Sequence, residues 1–192
     1  MATRLAAVIL AMVMLGCVKV QLQSETPQRR TEVSEGQGKD FRVQFAERMR
    51  NLPPTQKFNM TRLLIDSVTV NYLRYGRNIA DQWRQASDGR GQAVSDVEIQ
   101  NLVSNSNKTQ EPLTQAYEES IDYGIDQIKQ SQGVDPSLVG ELESYRDYYY
   151  KLYNGVFFPK GTRSDYENRL SDLETEGSQI SKRLSDAARQ FR

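Results

Sequence analysis

SDYENRLSDLETEGSQISKRLSDAARQFR, residues 164–192, sets Tyr166, Leu170, Leu173, Gly177, Ile180, Leu184, Ala187 and Phe191 at alternating steps of four and three. That spacing keeps one apolar stripe on one face of a helix and is the a/d pattern of a helical seam. Ser164 and Glu167 have the spacing of a capping box, which sets the expected start of this helix. Such a seam serves an intrachain bundle, its commoner use, or a coiled coil with a partner through 164–192. Gly177 lies in the seam, where it weakens self-association or marks a close crossing.

The same period recurs upstream. Leu138, Leu142, Tyr145, Tyr149 and Leu152 follow an Asp135-Pro136 start and end at Asn154-Gly155. Leu113, Tyr117, Ile121, Ile125 and Ile128 follow Thr109-Gln110-Glu111-Pro112 and stop at Gly133. Ser95 to Glu98 is a capping box opening a short helix with Val97, Ile99, Leu102 and Val103. Ile65, Val68, Tyr72, Tyr75, Ile79 and Trp83 define a helix over about 61–87, and Phe41, Phe45, Met49 and Leu52 define one ending at Pro53-Pro54. Val68-Thr69-Val70 and Val156-Phe157-Phe158 are β-prone, but the first lies inside a helical stripe and the second is too short for a sheet. The expected fold is all-α: a bundle of five to six helices over 40–192, after a flexible N-terminal tether.

Composition narrows the function. The 192 residues carry 25 basic and 25 acidic side chains, so the chain lacks the cationic footprint of a nucleic-acid binder. With no histidine, imidazole general bases, His-based nucleophile systems and most zinc sites are excluded. The single cysteine forms no internal disulfide and no CxxC pair. No cofactor is expected.

At the N-terminus, Arg4 precedes an apolar run from Leu5 to Gly16, too short to span a bilayer and of the length of a signal-peptide core. Cys17 follows at once, in Met14-Leu15-Gly16-Cys17. This start resembles the bacterial lipoprotein class, whose lipobox sets a small residue before an acylated cysteine. Met14 and Leu15 depart from the usual Leu and small residue of that class. The resemblance covers residues 1–17. It implies a signal peptide over 1–16, cleavage after Gly16, and acyl chains (palmitate among them) on Cys17. Val18 is not the Asp that retains such proteins in the inner membrane, so the implied location is the outer membrane, facing the periplasm. Residues 19–39 are almost wholly polar and are expected, with Cys17, to form the tether over 17–39. The matches Asn59-Met60-Thr61 and Asn107-Lys108-Thr109 to the glycosylation pattern are read as accidental.

Three clusters invite a functional reading. Glu118, Asp122 and Asp126, with Glu119 beside them, share a helix face; a solvated face explains them better than a metal site, since no histidine completes a di-metal set. Asp88-Gly89-Arg90-Gly91 reads as an inter-helix loop and not a phosphate cradle. The run Tyr145-Arg146-Asp147-Tyr148-Tyr149-Tyr150-Lys151-Leu152-Tyr153, then Phe157-Phe158-Pro159, holds more rings than one helix face buries. Two readings fit it. Either Tyr148, Tyr150, Tyr153, Phe157 and Phe158 form part of a partner-docking surface, or the following loop folds back and they are core.

The expected function is non-catalytic: an accessory, assembly or scaffold subunit of an envelope complex, in the manner of pilotins by analogy. The alternatives are a periplasmic bundle holding a lipid or glycan fragment and, behind it, a carboxylate-based glycan-active enzyme.

Overall fold

The computed structural model describes residues 27–88, 95–108 and 111–190. All regular structure among them is helical: α1 (Pro27–Arg50), α2 (Pro54–Asp88), α3 (Asp96–Lys108), α4 (Glu111–Lys129), α5 (Pro136–Phe157) and α6 (Arg163–Gln190). No helix among these residues is long and apolar enough to cross a membrane.

Four helices form a ring in which α2 packs on α4, α4 on α5, α5 on α6 and α6 back on α2. Successive members run antiparallel: Tyr72 meets Thr114 while Thr61 meets Gly124, and Gly76 meets Leu170 while Arg62 meets Ser185. Helices α2 and α5, which are parallel, also touch across the ring and form its short diagonal. That diagonal is lined with aromatic rings. Helix α1 lies outside the ring, parallel to α4, and α3 covers the end where α5 turns into α6.

The stripes read from sequence are the buried faces. Ile65, Val68, Ile79 and Trp83 of α2, Ile121, Ile125 and Ile128 of α4, and Leu170, Leu173, Ile180 and Leu184 of α6 are all in the core. Each such side chain contributes roughly 1.5–3 kcal/mol on burial. The seam of α6 is covered by this chain's own α2 and α5, so the a/d pattern serves intrachain packing among the described residues. Gly177 marks a close crossing: a Cβ there would stand 2.6 Å from Cζ of Tyr148.

Four boundaries differ from expectation, each for a local reason. Residues 27–39, expected within the tether, are helical; from Gly38, set against the Pro112 carbonyl and Ala116, α1 is docked on α4, and a docked turn propagates through polar sequence at little cost. Helix α2 starts at Pro54, well before residue 61, because Pro is tolerated in a first turn. Helix α5 passes Asn154-Gly155 and ends at Phe157; Gly155 is buried against Leu173 and is a crossing point, not a stop. The capping box of α6 is Thr162 with Asp165, not Ser164 with Glu167. Asp165 accepts from the Thr162 amide at 2.8 Å, and the Asp165 amide donates to Thr162 Oγ1 at 3.3 Å. The Ser95–Glu98 box and the Asp135 cap stand where expected.

Cys17, the implied signal peptide, Gly89 to Gly91 and Phe191 lie outside the described residues.

Candidate functional site

The tyrosine run of α5 places its rings around three sides of the helix. Tyr145 and Tyr149 face the short diagonal, as expected. Tyr149 stacks on Tyr72 with centroids 5.7 Å apart, and the Tyr72 hydroxyl donates to Thr114 Oγ1 at 3.1 Å. Tyr145 donates to Asp66 at 2.6 Å. Burial raises Asp66 above the usual carboxylate range, although that bond and the Arg62 charge pull it back.

Two of the five candidate docking residues are core. Tyr148 is 2% exposed, its hydroxyl donating to the Leu173 carbonyl at 2.8 Å, in the space that Gly177 leaves. Phe157 is 3% exposed, stacked on Tyr75 and edge-on to Tyr72. The longer α5 carries this ring inward one turn beyond the expected helix end. A docking surface containing Tyr148 and Phe157 is therefore ruled out. Tyr150 and Tyr153 are half-buried, and Phe158 is 42% exposed with its edge on Tyr153.

What the structure brings together at Tyr150 and Tyr153 is polar. The Tyr150 hydroxyl donates to Asp122 at 3.4 Å, and Asn107 Nδ2 donates to the Tyr153 hydroxyl at 2.9 Å. Asn107 is buried, and its Oδ1 has no hydrogen-bond partner. Burial and the charges of Asp122 and Glu118 push the Tyr150 hydroxyl up to about 12. Tyr153 is raised as well, by burial and then, against the pull of Asn107, by Glu118 and Glu111.

The acidic face of α4 divides into separate roles. Glu119 pairs with Arg42 of α1, Asp122 pairs with Arg146 at 3.3 Å, and Asp126 is exposed. Glu118 is half-buried, and burial followed by the charges of Asp122 and Glu119 raises it. No group of three or more potential metal ligands forms among the described residues. At the α5–α6 turn an open trough of about 510 Å³ is lined by Lys160, Gly161, Asp165, Asn168, Arg169 and Asp172. Asp165 is committed there to the helix cap, and Arg169 donates to the Lys160 carbonyl.

Sequence reasoning missed the hydrogen bond of Asn107 to the Tyr153 hydroxyl. Asn107 drew notice only as a glycosylation match, and its burial removes it as an acceptor in the folded chain. The spacing of Glu118 and Asp122 was visible, but not that α5 runs antiparallel beside it. No family model, curated protein or solved structure matches this chain.

Proposed function

We propose that the chain is a non-catalytic, lipid-anchored protein of the bacterial envelope, an accessory, assembly or scaffold subunit of a membrane-associated complex. The observation that carries this reading is Gly16-Cys17 at the end of an apolar run of signal-peptide length. Acyl chains on one residue contribute ~0.8 kcal/mol per buried CH₂, so two or three of them give a firm anchor. The outer membrane and a periplasm-facing bundle follow from Val18 by the same resemblance.

The filled core supports a scaffold over a bundle that holds a lipid or glycan fragment. Tyr72, Tyr149 and Phe157 occupy the short diagonal with their rings in contact, which is where a bundle would hold a ligand. The ion pairs that tie up Glu119 and Asp122 support a binding role over a paired-carboxylate enzyme.

Expression in a two-membrane bacterium tests the reading. Intact mass should show a chain beginning at an acylated Cys17, and the protein should fractionate with the membrane. Cys17→Ala should move it to the soluble fraction, and crosslinking of the anchored form should capture a stoichiometric envelope complex. Unchanged fractionation of the variant, with an unmodified mass, refutes the anchor.

A further inference from the structure

Helix α1 decides which end of the bundle is nearest Cys17. Its Gly38 lies against the Pro112 carbonyl at the start of α4, and further along both helices Arg42 pairs with Glu119. Helix α1 therefore begins at the end of the bundle where α4 begins. There α2 and α5 finish, and α3 is tied to them by Asp96 with Trp83 and Asn107 with Tyr153. Only residues 18–26 separate Cys17 from Pro27, the first residue of α1. Those ten chain steps span at most about 36 Å. The 24 residues of α1 cover about the same length as helix. A membrane holding Cys17 is thus within easy reach of the near end. It meets the far end only if every one of those steps runs fully extended back alongside α1.

That near end carries an apolar tip. The large apolar side chains exposed among the described residues are Val43, Val70, Val97 and Phe158. Val43 and Val70 lie along the sides of α1 and α2. Val97, 62% exposed, and Phe158, 42% exposed, flank a single contact at the near end. Gln100 Nε2 donates to the Gly161 carbonyl at 2.7 Å, which ties α3 to the α5–α6 turn. Val97 precedes Gln100 by one turn of α3 and shares its face, and Phe158 precedes Gly161 by three residues. The trough beside this tip bears both signs of charge, Lys160 and Arg169 with Asp165 and Asp172. Apolar side chains next to mixed charge suit the headgroup boundary of a zwitterionic lipid surface. Two such side chains bury too little area for a stable interface with a protein.

We propose that the tip of Val97 and Phe158 enters the headgroup boundary of the lipid leaflet that holds Cys17, so that the bundle stands on its α3 end with the α4–α5 turn outermost. The proposal rests on the lipid anchor argued above. The anchor provides the affinity and the tip sets the orientation. A contact this small is weak alone but effective once a tether holds it beside the surface.

Nitroxide labelling of the acylated chain, purified from membrane and reconstituted in phosphatidylcholine vesicles, tests this. Acylation blocks the thiol of Cys17, the chain's only cysteine, so Val97→Cys, Phe158→Cys and Gln132→Cys each offer one labelling site. Gln132 is exposed in the α4–α5 turn at the opposite end. Electron paramagnetic resonance compares collisions with oxygen, which concentrates in lipid, and with a water-soluble nickel chelate. The oxygen-to-nickel ratio should be severalfold higher at 97 and 158 than at 132. Phe158→Asp, combined with the label at 97, should return that label to the aqueous ratio. Flotation and intact mass on the same samples separate the two ideas. Aqueous ratios at both 97 and 158 in a floating, acylated chain overturn the tip and leave the anchor standing. An unchanged ratio at 97 in Phe158→Asp also overturns the joint tip. A chain that neither floats nor carries the acyl mass overturns the anchor and the proposal with it.

Discussion

Gly177 and Tyr148 show how one missing methyl group fixes a helix crossing. The Tyr148 ring enters α6 where Gly177 has no Cβ, and its hydroxyl satisfies the Leu173 carbonyl. Gly177→Ala should therefore destabilise the fold by about 1–3 kcal/mol through overpacking, despite the better helix propensity of alanine. Urea unfolding measures this, and Tyr148→Phe, which removes the atom nearest the new methyl, should recover part of the loss in a double-mutant cycle. Glu118 argues in the opposite direction. Its folded form keeps a proton to higher pH than the unfolded chain does, so the native state binds more protons just above the usual glutamate range. Stability contributed by the protonated form is complete below that range and falls as pH rises through it. Glu118→Gln should remove this fall and raise stability at neutral pH by about 0.5 kcal/mol, a small gain because solvent still screens a half-buried group. Paired thermal melts at acidic and neutral pH distinguish the outcomes: a gain only at neutral pH is expected, and a loss there would mean Glu118 has an unseen partner.

Element boundaries test how local chemistry selects among nearby candidates. Thr162 and Ser164 both precede an acidic residue by three, and only geometry decides between them. Gly161, at φ +83, turns the chain so that Thr162 meets Asp165, and helix α6 starts at Arg163. Thr162→Ala should cost about 1 kcal/mol, as loss of a cap does, whereas the exposed Ser164→Ala should be near neutral. Equal costs in chemical denaturation would refute the assignment. Element types and buried faces were legible because the period of 3.6 is written in large residues such as Ile121, Ile125 and Ile128. The starts of α1 and α2 were hidden because polar residues extend a docked helix without leaving a stripe. At the candidate site, the excess of rings in α5 was visible. Which of them turned inward depended on α5 continuing through Gly155, and on Gly177 lying twenty-nine residues from Tyr148 along the chain. The hydrogen bond of Asn107 to Tyr153 was beyond reach for the same reason, since it depends on how α3 is placed against α5.

For the whole molecule, the ring and its short diagonal form one cooperative unit, while α1 is attached from one side. Helices α2, α4, α5 and α6 each pack against two or more others, and the rings of α2 and α5 interlock through Tyr72, Tyr149 and Phe157. Helix α1 packs chiefly on α4, through Phe41 edge-on to Tyr117, buried Phe45 and Met49, and the pair of Arg42 with Glu119. Exposed ion pairs of this kind contribute under ~1 kcal/mol, so the docking of α1 rests on its apolar side chains. Local opening free energies follow such differences in burial. Native-state hydrogen exchange should therefore find the α1 amides opening at lower free energy than those of α2 and α5. Phe45→Ala should deepen the difference, costing the docked helix about 3 kcal/mol, in the range for a buried phenylalanine, while near-UV circular dichroism from the tyrosine-rich diagonal stays unchanged. If α1 instead exchanged with the ring in a single global step, and Phe45→Ala lowered both together, α1 would have to be counted as a fifth member of the cooperative core.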